Sequence, residues 1–200
     1  MTDMKPDPLT EPPWDAVRKV HDHFAASAIA VCNTGEEVAH QLMMVNCDDE
    51  GRILQFAALP SELMSLFFKD GTSGKDMFAM FIRSLMKQGS PIREQFSAAA
   101  GFEPRLLVFI CEAWALQSSS EEDIKALREN GYCVSKHPKR TEVLQVMLHT
   151  ATVSAMSMNI IESKPKRHCV PGKFPTREEA LIFSGRFAMQ DQDPEGSKPH

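Results

Sequence analysis

The order of apolar patterns along the chain predicts an α+β fold: a single domain, with a mainly antiparallel sheet of about five or six strands and helices clustered in the N-terminal half. Three observations carry this. Apolar residues recur at helical spacing from Trp14 to Ala28 and again between residues 60 and 100. Strand-like segments come as two hairpin-like units, 40–58 and 141–162, with a near-continuous apolar run at 105–117 between them. Helical and strand segments fall in runs rather than in strict alternation, which favours α+β over a doubly wound sheet.

Each element has its own reason. Residues 1–13 hold four of the 13 prolines, interspersed with acids, and read as a solvated tail unable to bury apolar surface. Trp14, Val17, His21, Phe24 and Ala28 share one helix face, and Asn33 to Gly35 supply residue types that end a helix. HQLMMVN and RILQFAA flank Asp48-Asp49-Glu50-Gly51, a hairpin turn whose glycine provides the left-handed position. Pro60-Ser61 opens a short helix through Phe68. Phe78, Phe81, Ile82 and Leu85 mark a helix over 75–88, with Gly74 before it and Gly89 after, and 92–100 adds a further turn ending at Gly101.

The run RLLVFICEAWALQ suits a central strand covered on both faces. A crossover through 60–100 allows it one parallel neighbour in the first hairpin. Ser119 and Glu122 have capping-box spacing, so 121–130 reads as a helix ended by Gly131. Residues 141–162 are rich in β-branched side chains and read as two strands joined near Thr150 to Thr152, or as one bent strand. A basic loop follows, then a second capping box at Thr176 and Glu179. FSGRFAM at 183–189 reads as a last strand with a bulge at Gly185, and 190–200 as a polar tail. The domain therefore spans 14–189.

Composition excludes several classes. The chain has 200 residues, 42% of them hydrophobic, enough for a full core without disulfide or metal staples. A net charge of −5 argues against the counterion release that non-specific nucleic-acid binding needs. No apolar run approaches the ~18 residues of a membrane span. The first residues carry acids and no apolar stretch, so a signal peptide is not expected and the cytoplasm is the expected compartment. The five cysteines are an odd number without framework spacing, consistent with reduced thiols. Ten of the 12 methionines fall inside predicted elements and read as core filler.

The candidate sites each have a plain alternative. Glu112 interrupts the face shared by Leu106, Val108, Ile110 and Trp114. Burial there would suit it to acid–base work; pairing with an arginine would make it structural. His137 and Arg140 lie in the segment SKHPKRTEV, which leads from a loop into a strand. With Glu112 they could form an acid–base or anion-binding cluster, or Arg140 could pair with Glu112 or Glu142 and only end the loop. GTSGKD at 71–76 fails as a phosphate loop: Lys69 stands where a glycine is required and Asp76 where Ser or Thr would hold the metal, so no nucleotide is expected. Gly71 and Gly74 there read as parts of a loose interhelical turn. Cys133, His137, His168 and Cys169 are zinc-ligand types, but their spacing matches no finger. His21 and His23 point to different helix faces. No metal or cofactor is expected. No nucleophile sits in a recognised motif, and Cys111 reads as an inert core thiol. Lys164, Lys166, Arg167, His168 and Lys173 read as a solvated basic loop, or as a contact for an acidic partner or phosphate.

Glu112-Ala113-Trp114 in a strand, followed by Ser135, His137, Pro138, Arg140, Glu142 and Val143, resembles small uncharacterised proteins of phages and bacterial mobile elements. The resemblance covers residues 104–146. It implies a phage or prophage origin and a compact α+β fold, and no catalytic residue. The expected function is thus a non-catalytic cytosolic interaction module, an accessory factor acting on a host protein, with a homodimer through a sheet edge or helix face as a further partner. The rival is a small enzyme using Glu112 and His137, with Arg140 holding an anionic substrate.

Overall fold

Residues 11–68, 72–116, 120–129 and 134–182 are described by a computed structural model of the chain. Within them, β1 (Gln41–Cys47), β2 (Ile53–Ala58), β3 (Leu106–Leu116), β4 (Arg140–His149), β5 (Ser154–Glu162) and β6 (His168–Val170) form one sheet in the order β2-β1-β3-β4-β5-β6. Every neighbouring pair is antiparallel. The helices are α1 (Trp14–Thr34), α2 (Ser61–Phe68), α3 (Thr72–Met86), α4 (Pro91–Ala100), α5 (Glu121–Glu129) and α6 (Arg177–Leu181). This is the expected α+β architecture in a single domain.

The parallel pair that the crossover allowed is not made. β2 and β3 do run in the same direction, but β1 lies between them and is antiparallel to both. The hairpin keeps its own pairing, so the chain passes through α2, α3 and α4 and returns on the far side of β1.

Two apolar layers share the sheet, because alternate residues of a strand face opposite ways. Leu106, Val108 and Ile110 of β3 face α1, which buries Val17, Val20, Phe24 and Ala28 against them. Leu107, Phe109 and Cys111 face the other way, onto Phe78, Ile82 and Leu85 of α3. Phe78 lies edge-on to Phe109 with centroids 4.8 Å apart, and Phe67 of α2 lies 5.3 Å from Phe78. β3 is therefore covered on both sides, which is why its sequence is an unbroken apolar run.

Several boundaries follow from packing rather than propensity. Gly51, with φ +82°, turns the first hairpin, and a Cβ there would come within 2.9 Å of Lys19 Cβ and 3.0 Å of Ala16 Cα. The turn is thus pressed onto α1 as well as left-handed. Buried Arg105 ties the same turn to the start of β3, donating to Cys47 O at 2.9 Å and Asp49 Oδ1 at 2.8 Å. Gly74 corrects the expectation of a loose turn before the helix. It lies inside α3, where a Cβ would stand 1.9 Å from Phe67 O, so it permits a close approach of α3 to α2.

The second half brings further differences. Ser119 lies outside the described residues; Ser120 meets the start of α5, its Oγ accepting from Asp123 N–H at 3.2 Å and donating to Asp123 Oδ2 at 2.7 Å. The stretch 141–162 resolves into β4 and β5. The capping box of Thr176 and Glu179 is present in both directions. The basic loop holds an unexpected short strand, β6, formed by pairing with the end of β5. Residues 183–189 lie outside the described residues. Of the expected N-terminal tail, Pro12 is buried and Glu11 accepts hydrogen bonds from Thr150 and Thr152 at 2.5 and 2.6 Å. The methionines divide: Met43, Met44, Met64, Met86 and Met147 are core, while Met77, Met80 and Met158 are exposed.

Candidate functional site

Glu112, His137 and Arg140 each take a separate partner. Glu112 continues the α1-facing row of β3. Its Oε1 accepts from Val38 N–H at 2.8 Å and its Oε2 lies 2.5 Å from Arg167 Nη2. The same Arg167 nitrogen is 3.3 Å from Glu142 Oε1. Burial opposes the Arg167 charge, yet the hydrogen bonds to Cys32 and Glu112 and the nearby Glu142 carboxylate outweigh it and raise its pKa. His137 is buried: its Nδ1 accepts from Lys139 N–H at 3.1 Å and its Nε2 lies 3.6 Å from Asp123 Oδ1. Lys139 Nζ reaches the same carboxylate at 2.9 Å, so this group joins α5 to the turn entering β4. Arg140 lies over the Trp114 ring, 4.9 Å from its centroid. Among the described residues no hydrogen bond or ion pair joins any two of the three.

The arginine that meets Glu112 thus comes from the basic loop. That loop is only partly a solvated face. Lys164 and Lys166 are exposed, but Arg167 turns inward, His168 lies 3.2 Å from Glu162 and Lys173 lies 3.4 Å from Glu179.

A second constellation joins distant segments. His21 of α1 lies with Nδ1 2.9 Å from Asp22 Oδ1 and Nε2 2.7 Å from Ser157 Oγ of β5. Burial lowers the His21 pKa, with the Asp22 hydrogen bond acting the other way. A neutral ring that donates to Asp22 can accept the Ser157 proton, which is the order of a serine nucleophile and its base. Access decides against that chemistry. Ser157 is 0% exposed, and the His21 ring is covered by Phe174 at 4.1 Å between centroids. Asn159 Nδ2 sits 3.4 Å from the same Oγ. The group works as a polar tie between α1 and the sheet. Sequence reading weighed His21 only against its neighbours, because nothing local in the chain points from His21 to Ser157.

Metal ligation finds no cluster among the described residues: no group of three or more His, Cys, Asp or Glu side chains converges. Cys133 lies outside them. His168 and Cys169 sit on opposite faces of β6, one exposed and one buried. Burial pushes the Cys111 thiol up to about 12 and the Cys47 thiol up to about 11, so both are protonated core groups at neutral pH. No described helix is long and apolar enough to cross a membrane.

An open feature of the described surface lies at the other end of the sheet. β2 is the first strand in the order, with no further strand beside it among the described residues. Leu54 and Phe56 on it are 50% and 60% exposed. Between β2 and α1 runs a groove of about 370 Å³, lined by Phe24, Ala28, Val31, Met43, Phe56 and Ile110 among others. No family model, no curated protein and no solved structure matches the chain.

Proposed function

We propose that the chain is a non-catalytic, cytosolic protein-interaction module that receives an extended apolar segment of another protein along β2. One observation carries the reading: β2, uncharged and with no further strand beside it among the described residues, exposes Leu54 and Phe56 beside a groove whose apolar lining is joined by His23, Glu37 and Gln41. Edge strands are ordinarily guarded by lysine, proline or a covering element; Ile53–Ala58 contains neither residue. An added strand would pair with the outer backbone groups of β2, which no described strand engages, and its alternate side chains would meet Phe56 and the groove. The resemblance of residues 104–146 to phage and mobile-element proteins makes a phage or prophage accessory factor, binding a host protein, the class to test. The enzyme reading needs Glu112, His137 and Arg140 in one open cleft, and their separate partners speak against it.

The test is a pull-down from host lysate with the wild-type chain and Phe56→Lys, beside a solution mass measurement and hydrogen exchange. A host protein held by the wild type, lost from a folded Phe56→Lys, and protecting residues 53–58 from exchange supports the reading. Recovery of the chain alone overturns the host-partner reading and leaves a second copy as the occupant of the edge. A partner retained by Phe56→Lys overturns the assignment to β2.

A further inference from the structure

At the hairpin end the groove beside β2 continues into a second depression of about 540 Å³, and the two share His23 and Phe56. Together they make one trough, with α1 as the wall facing β2. Lys19, His23, Ser27 and Val31 follow one another along that wall at four-residue steps, about one helical turn each. The two ends of the trough differ in charge. Lys19 and Arg52 line the hairpin end, with no Asp or Glu beside them among the described residues. Glu37 lines the other end together with Gln41, with no Lys or Arg beside them among the described residues. Arg52 is held by Asp48 and Glu50. Lys19 Nζ donates to the Glu50 carbonyl at 3.0 Å, a contact that keeps its charge and leaves two N–H groups for an incoming acceptor.

The sheet gives the trough a direction. β1 places Met43 opposite Ala58, so Gln41 and Glu37 mark the finish of β2, and Lys19 and Arg52 mark its start. Every neighbouring pair of strands is antiparallel, the slightly more stable choice for a further strand as well. A segment laid antiparallel to β2 therefore begins beside Glu37 and finishes beside Lys19. From Lys19 to Val31 the helix advances about 18 Å. Extended chain covers that distance in about five or six residues.

We infer that the segment received along β2 has a fixed charge order: Lys or Arg at its start, alternate apolar side chains over about five or six residues, then Asp or Glu at its end. The inference rests on β2 being the docking edge and adds a direction and a partner chemistry to it. Glu37 attracts the leading cation, Lys19 attracts the closing carboxylate, and the apolar side chains enter between Phe56 and Val31. Exposed ion pairs add little affinity one by one. They select the direction, because a segment with the opposite order sets like charges together at both ends.

The test selects short random peptides, displayed on a carrier, on the immobilised full-length chain. Enriched sequences are then synthesised and their binding is measured by fluorescence anisotropy. The expected peptides carry alternating apolar residues, with Lys or Arg before them and Asp or Glu after them. Exchanging the two charged ends of such a peptide weakens binding roughly five- to tenfold, and the difference shrinks at high salt. The doubly charge-reversed chain, Lys19→Glu with Glu37→Lys, inverts the preference, so that the exchanged peptide becomes the tighter one. Both substituted side chains are exposed, and inversion is a result that loss of folding does not produce. Peptides that are lost on a folded Phe56→Lys yet show no charge order, or keep the original order on the charge-reversed chain, overturn the inference and leave β2 as the docking edge. Peptides retained by Phe56→Lys overturn the assignment to β2 itself. Absence of any enriched peptide overturns both, and a dimer in solution then makes a second copy the occupant.

Discussion

Arg167 bridges two carboxylates at the sheet's α1 face, Glu112 and Glu142. Removing it leaves Glu112 and Glu142 facing each other across a partly buried gap, so Arg167→Met is expected to cost about 1–3 kcal/mol in urea unfolding. Arg140→Ala loses only an exposed contact over Trp114, about 0.5–1 kcal/mol. His149 sets a pH dependence. It is fully buried, accepts or donates with Ser154 Oγ at 2.8 Å, and burial, helped by Arg83, lowers its pKa to about 3. The unfolded chain titrates near 6.5, so between pH 6.5 and 3 the unfolded state holds the extra proton. Stability is therefore full above pH 6.5 and falls as pH drops, by about 1.4 kcal/mol per pH unit for this residue. Urea midpoints of the wild type and His149→Phe, taken from pH 7 to 5, check it: the variant has the shallower slope. Glu112 was legible in the sequence as an anomaly because strand alternation is local. Its partner was not, because no local pattern tells that Arg167 rather than Arg140 folds back onto it.

Among the elements, α3 and β2 show most clearly what packing adds to propensity. Helix propensity alone favours Gly74→Ala by about 1 kcal/mol. The 1.9 Å approach of a Cβ to Phe67 O reverses the sign, and Gly74→Ala is expected to lower the thermal midpoint. Leu54→Lys and Phe56→Lys, on the open edge, are expected to change unfolding free energy by about 0.5 kcal/mol or less. Sequence periodicity located α1, α3, β1 and β3, since each repeats one facing pattern over many residues. It missed β6, which has three residues and exists because the end of β5 offers a free edge.

The described residues form one sheet shared by two cores. Neither layer can lose its packing without exposing the other face of the same strands, so unfolding should be a single cooperative transition. Phe78→Ala, in the α2–α4 layer, is expected to cost about 3–5 kcal/mol. In a Trp114→Phe background, fluorescence of Trp14 on the opposite layer should shift with far-UV circular dichroism by the same amount. Two separate transitions would show that the layers fold independently.

What the sequence determined by itself is the class of fold, the order of its elements and the facing of its strands. Those depend on periodicity, capping and turn chemistry, which act over a few residues. Tertiary structure decided the side of β1 on which β3 pairs, the meeting of His21 with Ser157, the grip of Arg167 on Glu112 and the bond from Cys169 N–H to Asn33. Each of these joins residues far apart in the chain. It is settled by which surfaces fit together once the sheet has formed, and no short-range pattern records that.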